Sequence, residues 1–204
     1  MKQEPFDLLI ATNNQGKIKE LAQLFGTAPV KLRSLADFEN IVEPQETGLT
    51  FAENAILKAR GYAMQTGITA LADDSGLEIE ALNNVPGVSS ARYAGAGTGF
   101  PEKMRLLLSE MESAADTSRS ARFVCSMAIA NSEGTVLHSA EGICTGQIAS
   151  EPRGNAGFGY DQFFVPDGFD LTFGELPDEI KRQISHRARA SELIMRFLLD
   201  FIAD

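Results

Sequence analysis

Hydrophobic and polar positions follow two rhythms along this chain. Short, continuous apolar runs read as buried strands: Asp7–Ala11, Val30–Leu35 and Ile68–Ala72. Between them, apolar residues recur at helical spacing. Ile18, Leu21, Leu24 and Phe25 give one buried stripe on a helix over Lys17–Phe25. Thr50 and Glu53 form a capping box, so a second helix starts there and runs to about Gln65. Its Ala52, Ala55, Ile56, Ala59 and Ala63 make a small-residue face suited to close packing. Leu77–Ala81 alternates apolar and acidic residues, as a half-exposed strand does, and Asn83–Gly87 is a turn. A third helix is expected from Pro101 to Met111, with proline in its first turn. Phe123–Ala130 and Thr135–Ile148 flank a Ser132-Glu133-Gly134 turn and predict an antiparallel hairpin. Gln162–Val165 reads as a short strand, and Thr172–Glu175 as a second capping box that opens a helix containing Ile180 and Lys181. Leu193, Ile194, Phe197, Leu198, Phe201 and Ile202 line one face of a last, structural helix. Strands of parallel and antiparallel type both occur, so the expected class is α/β with a mixed sheet.

Composition narrows this picture. The 204 residues suit one domain or two tightly packed lobes. A formal charge of -10 disfavours nucleic acid or an anionic membrane as partner. A polyanionic small substrate therefore needs a local basic cluster or a metal. No apolar span is long enough to cross a membrane, and Leu8–Ala11 is too short for a signal peptide. Cys125 and Cys144 make neither a disulfide framework nor a metal site. They read as small core residues of a reduced, cytoplasmic protein, with a cross-strand disulfide as the alternative.

Candidate chemistry concentrates in a few places. The run Ile68–Ala72 ends in Asp73, Asp74, Ser75 and Gly76. Two adjacent acids at a buried strand end need a cation or several donors, and Mg²⁺ is the natural ion for carboxylate oxygens. Successive strand side chains point to opposite faces, so Asp73 and Asp74 are expected to do different jobs. The competing reading is a strand-to-turn corner held by an Asx hydrogen bond. Thr12, Asn13, Asn14, Gln15, Gly16 and Lys17 join a strand to a helix N-terminus, a geometry that aims free amides at a phosphate. A plain capping loop explains the same residues. Glu53, Asn54 and Lys58 can reach a metal or phosphates, or Asn54 and Lys58 form an ordinary solvated i,i+4 pair. Phe158, Gly159, Tyr160 and Asp161 place two aromatics beside an acid, suited to stacking on a base or to filling core. Lys181, Arg182, His186, Arg187 and Arg189 concentrate positive charge in an acidic chain. They suit a polyanion or a base edge, or a solvated basic helix face.

Taken together, Ala11–Lys17, Gly48–Arg60, Ala72–Leu77, Pro86–Gly95, Gly157–Asp161 and Ser185–Arg187 resemble, in order, the motifs of the noncanonical purine nucleoside triphosphate pyrophosphatases, the inosine triphosphatase family. The resemblance implies an elongated mixed sheet flanked by helices, with two lobes forming a single catalytic domain over residues 1–204 and an active-site cleft between them. It implies hydrolysis of ITP, dITP and XTP to the monophosphate and pyrophosphate, Mg²⁺ dependence and a homodimer. The substrate is then a small nucleoside triphosphate, with no nucleic-acid or membrane partner. Thr12 to Lys17 would cradle the triphosphate. Asp74 would be the catalytic acid, binding Mg²⁺ or activating water, and Ser75 would touch substrate. Phe158 to Asp161 would form the base and ribose wall, with Lys181, His186 and Arg187 on base or phosphates. The 6-oxo group of hypoxanthine or xanthine suits donors such as His186 or Arg187, whereas the adenine 6-amino group leaves them unpaired. Two departures stand out. Gln45 occupies a position where much of the family has a metal-binding glutamate, so Glu46 is expected to serve instead or the metal to rest more on Asp74. Gln162 stands where proline usually follows the Phe158–Asp161 motif. A pyrophosphatase for another base, or a nucleotide-binding module without turnover, are the alternatives.

Overall fold

Strand β1 (Phe6–Ile10) is the axis of the first half of the chain: it pairs in parallel with β2 (Val30–Ser34) on one side and with β3 (Thr69–Ile79) on the other. The computed structural model describes residues 6–95 and 97–203. The remaining elements are α1 (Gln15–Phe25), α2 (Phe51–Thr66), β4 (Val85–Pro86), α3 (Phe100–Ser113), β5 (Ser120–Ala130), β6 (Val136–Ile148), β7 (Phe164–Pro166), α4 (Asp178–Ile184) and α5 (His186–Ala203). The chain divides into two compact units. The first comprises the described residues of Met1–Asp74, Cys125–Gly142 and Arg187–Asp204; the second comprises Ser75–Val124 and Ile143–His186. The fold is α/β with a mixed sheet and flanking helices, as expected.

In the first unit the strand order is β2-β1-β3-β5-β6. Alternation along the strands divides its core between two faces. Leu8, Ile10, Leu71, Met127 and Ile129 pack with Leu21 and Phe25 of α1 and with Ile194 and Leu198 of α5. Leu9, Ala70, Ala72, Ala128 and Ala130 meet Ala55, Ala59, Tyr62 and Ala63 of α2. Small residues on both partners let α2 lie close to the strands. Thr50 caps α2 and closes the expected box with Glu53.

In the second unit β3 pairs antiparallel with β4, and the order continues through β5 and β6 to β7. Its core joins Leu77 and Ile79 of β3, Met104, Leu107 and Met111 of α3, and an aromatic group of Tyr160, Phe163, Phe164 and Phe173 with Phe123.

Four local expectations change. The acids do not terminate a strand: β3 runs without interruption from Thr69 to Ile79, so the expected runs at 68–72 and 77–81 join in one strand, whose far end gives way to a 3-10 turn (Glu80–Leu82), and the Asx-corner reading fails. Gln162 and Phe163 lie in a 3-10 turn (Asp161–Phe163), and the strand begins only at Phe164. The Thr172–Glu175 pattern closes a turn, with Thr172 N–H donating to Glu175 at 2.9 Å, but α4 starts at Asp178 with Pro177 as its cap. Ala52 is exposed, so of the expected face of α2 it is Ala55, Ala59 and Ala63 that are buried, with Ile56 half-buried against them. Both cysteines are buried and neither is in a disulfide, which removes that alternative.

Candidate active site

Continuity of β3 makes the acid pair informative. Asp73 follows Leu71 by two residues and lies on the α1/α5 face; Asp74 follows Ala72 by two and lies on the α2 face. The two carboxylates therefore meet different partners, as the sequence implied.

Asp73 is held between two cations. Lys17 Nζ is 2.7 Å from one oxygen, and Arg187 Nε donates to the other at 2.9 Å. The Cys125 thiol also donates to Asp73, at 3.5 Å. Arg187 pairs in addition with Glu20 of α1. Asp73 is 1% exposed. Burial opposes its charge, but Lys17 and Arg187 outweigh that and hold the carboxyl far below the usual range. The same surroundings act on Cys125, where burial and the Asp73 charge push the thiol well up, so it is no nucleophile.

Asp74 accepts from Lys58 Nζ at 2.9 Å and from Asn54 Nδ2 at 3.2 Å. Asn54 is also fixed on its other side, because its Oδ1 accepts the Gly48 amide at 2.8 Å. Lys58 is shared, with Glu46 2.9 Å away. Burial raises the Asp74 pKa, Glu46 adds to the rise, and Lys58 only partly offsets it. Lys58 itself is penalised by burial, yet the acids around it raise its pKa and keep it an ammonium. Asn54 and Lys58 are thus a buried pair that serves Asp74, and the solvated-pair reading is overturned. Glu53 has no part here: it caps α2, accepting from Leu49 and Thr50. Gln45 is exposed while Glu46 reaches Lys58, so the acid beside Gln45 is the one brought to Asp74.

The loop before α1 is built as a helix entry. Asn14 is the N-cap and its side chain accepts the Lys17 amide at 3.1 Å; Thr12 Oγ1 accepts the Asn14 amide at 3.2 Å. The first-turn amides of Gln15 and Gly16 have no intrahelical acceptor. Asn13, Asn14 and Gln15 are exposed, and Thr12, Gly16 and Lys17 half-buried. An open helix N-terminus beside Lys17 favours an anion.

The second unit holds the other expected residues. Asp161 accepts from the Phe158 amide at 2.7 Å and from Lys181 Nζ at 2.5 Å. That closure requires glycine at 157, whose φ is +71° and where a Cβ would come within 2.0 Å of Asp161. Lys181 also lies 5.1 Å from the Phe158 ring centre and 5.6 Å from that of Phe173. Phe158 and Gly159 are half-buried, whereas Tyr160, Asp161, Lys181 and His186 are buried. The His186 ring stacks on Phe123 at 4.7 Å and 13°. Ser75 follows Asp74 on β3 and is half-buried.

The basic cluster is therefore not a solvated face: Lys181 and Arg187 are buried in ion pairs, while Arg189 is exposed. Sequence reasoning did not single out Glu20 or Phe123. Glu20 lies three residues past Lys17, on the same side of a helix, which was a usable signal; nothing in the sequence joins Phe123 to His186.

Comparison with known proteins gives this arrangement its relatives. The profile of the Ham1 family matches residues 8–197, and the chain belongs to that family. Proteins named dITP/XTP pyrophosphatase from Desulforamulus reducens and Oceanobacillus iheyensis are 46% and 42% identical to it. Each match covers 94% of this chain, and 94% and 97% of those proteins. Among solved structures, a HAM1 protein from Coxiella burnetii is 41% identical with a TM-score of 0.88, and the Ham1 protein of Staphylococcus aureus 37% identical with 0.84. Both matches cover 96% of this chain and 99% of the other. No helix among the described residues is long and apolar enough to cross a membrane.

Proposed function

We propose that this chain hydrolyses noncanonical purine nucleoside triphosphates, ITP, dITP and XTP, to the monophosphate and pyrophosphate, and so clears them from the nucleotide pool. The observation that carries the reading is the division of labour on β3, where Asp73 anchors Lys17 and Asp74 stands with Lys58 and Glu46. The names of the relatives from D. reducens and O. iheyensis support the substrate class.

In this reading the Gln15 and Gly16 amides and Lys17 bind the phosphate chain, and Asp73 keeps the Lys17 ammonium in place. Asp74 accepts the proton of the water that attacks the α-phosphorus; a carboxyl raised by burial is the better base near neutral pH. Lys58, held as an ammonium, steadies charge that develops on the phosphates. Pyrophosphate then leaves from the α-phosphorus. Asp74 and Glu46 are the residues that would hold Mg²⁺. Two carboxylates gathered at one ammonium suit an ion that takes one or two protein acids and fills its shell with water and phosphate oxygens. When bound, Mg²⁺ supplies charge neutralisation and lowers the pKa of water.

Phe158 offers a face for a purine, and Lys181 a donor for its 6-oxo group. Adenine presents an amino group there instead, which sets donor against donor. One such mismatch costs roughly 1–3 kcal/mol, a tenfold to hundredfold discrimination. We also take the chain to be a cytoplasmic homodimer. Two buried cysteines outside any disulfide support the compartment, and the family resemblance supports the dimer.

The test is pyrophosphate release from ITP, dITP, XTP, GTP, ATP, CTP and UTP, with and without Mg²⁺. The expected result is Mg²⁺-dependent release from the first three and far slower release from ATP. Release mainly from another base discards the assignment of Phe158 and Lys181; binding without release discards turnover.

A further inference from the structure

Ser90 and Ala91 bear no reactive group toward a nucleotide, yet two buried side chains from elsewhere converge on this segment, and the Ser90 side chain ties it down. Tyr160 Oη donates to the Ser90 carbonyl at 3.0 Å. Lys103 Nζ, from the first turn of α3, donates to the Ala91 carbonyl. Ser90 Oγ donates to the Gly87 carbonyl at 2.6 Å and accepts the Leu77 amide at 3.0 Å. Lys103 is 3% exposed. Its ammonium lies 4.9 Å from the centre of the Phe100 ring, which packs edge-on against Tyr160 at 5.1 Å and 88°. The same ring borders Gly159, where a Cβ would sit 3.7 Å from Phe100 Cε1.

A buried ammonium is costly without an acid beside it. Burial pushes the Lys103 pKa down, and no carboxylate among the described residues offsets it. Methionine has a similar stem and would fill the same space without that cost. What lysine adds is direction: a charged donor fixed on one carbonyl and one ring face. We propose that Lys103 is a positioning residue for the base-binding turn at 158–160. It acts through Ala91 on the segment that Tyr160 bonds, and through Phe100 on Gly159 and Tyr160. The inference deepens the preceding reading and rests on it, because it presumes that this turn meets the base.

Steady-state kinetics of the wild type, Lys103→Met, Tyr160→Phe and the double variant test it, with dITP as substrate and with inosine monophosphate and pyrophosphate as separate inhibitors. The monophosphate carries the base; pyrophosphate does not. Lys103→Met is expected to raise KM for dITP and the inhibition constant of the monophosphate about five- to tenfold. It should leave kcat within about twofold and pyrophosphate inhibition unchanged. Tyr160→Phe keeps the ring but loses the bond to Ser90; it should raise the same two constants, and it tests the shared segment if Lys103→Met fails to fold. The double variant should be no worse than the worse single one, because both act through one segment. Unchanged constants, or equal losses for monophosphate and pyrophosphate, overturn the proposal, since the second result is general damage. A wild type that neither turns over dITP nor binds the monophosphate removes the functional reading and this inference with it. A competent wild type with indistinguishable variants removes the inference alone.

Discussion

Neutralising each β3 acid in turn should have opposite consequences. Asp73→Asn keeps the shape of the side chain but leaves Arg187, 2% exposed, and Lys17 without their shared carboxylate. Removing one partner from a buried ion pair costs about 3–5 kcal/mol. For a chain of this length that is a loss of roughly 6–20 °C in Tm. Asp74→Asn removes a charge that burial already disfavours, and Lys58 retains Glu46. Its stability should stay within about 1 kcal/mol of wild type, while pyrophosphate release is abolished. The two also differ with pH. The folded pKa of Asp73 lies far below its unfolded value of about 3.9. Its stabilisation is therefore fully present above that value and is lost only as pH falls below it toward the folded pKa. The penalty of Asp73→Asn should be flat from about pH 8 to pH 5 and shrink in stronger acid. Asp74 is raised, so its charged form costs stability at neutral pH, and that cost fades as pH falls through the folded pKa toward about 3.9. Urea unfolding of all three proteins, at several pH values and with activity measured on the same samples, separates these cases. Equal destabilisation by the two variants, or an Asp73→Asn protein within about 1 kcal/mol of wild type, refutes the division.

Lys17→Ala should chiefly raise KM for dITP while the fold survives, since Arg187 still pairs with Asp73; unchanged KM and kcat take Lys17 out of the site. Gly76→Ala should destabilise by about 1–3 kcal/mol or more, because a Cβ there would stand 2.3 Å from Ser90 Oγ and 2.6 Å from the Gly87 carbonyl. Thermal denaturation reads this directly, and a neutral result would mean that the 87–90 segment yields easily. Lys181→Met should narrow the preference for dITP over dATP by about tenfold, provided that the variant folds with Asp161 left unpaired. An unchanged ratio assigns base selection to another donor.

Legibility of the sequence followed the range of the physics involved. The helices were readable because caps and stripes are local: Thr50 with Glu53 opens α2, and Leu21 and Phe25 are the buried positions of α1. The opposed roles of Asp73 and Asp74 followed from strand alternation alone. What failed were places where non-local pairing overrides local signals. Asp73, Asp74, Ser75 and Gly76 look like the end of a strand, yet β3 passes through them because Lys17 and Arg187 on one face and Lys58 on the other offset the buried charge. Thr172–Glu175 has the pattern of a helix entry, but Pro177 resets the start to Asp178. The fate of Arg187 was unreadable, since Asp73 and Glu20 are distant in sequence and a basic stretch by itself suggests a solvated face.

Charge balance in the first unit shows why the two acids cannot exchange roles. Around Asp73, the carboxylates of Asp73 and Glu20 meet the cations of Lys17 and Arg187, so the group is neutral and its bonds are made within the protein. Around Asp74, two carboxylates meet at the ammonium of Lys58, and Asp74 is only 7% exposed. A neutral, saturated cluster resists proton and cation binding and holds geometry. Burial outweighs the counter-charges of Asp74 and raises its carboxyl pKa, so this group gains from taking up a proton or a divalent cation. Moving Lys58's charge to the other face would take from Asp74 its largest counter-charge and add little to what Lys17 and Arg187 already give Asp73. Two spacings set the arrangement: Lys17 and Glu20 on one side of α1, and Asn54 and Lys58 one turn apart on α2. Each pair projects toward its own face of β3, so one residue of register along that strand gives the two acids their different surroundings.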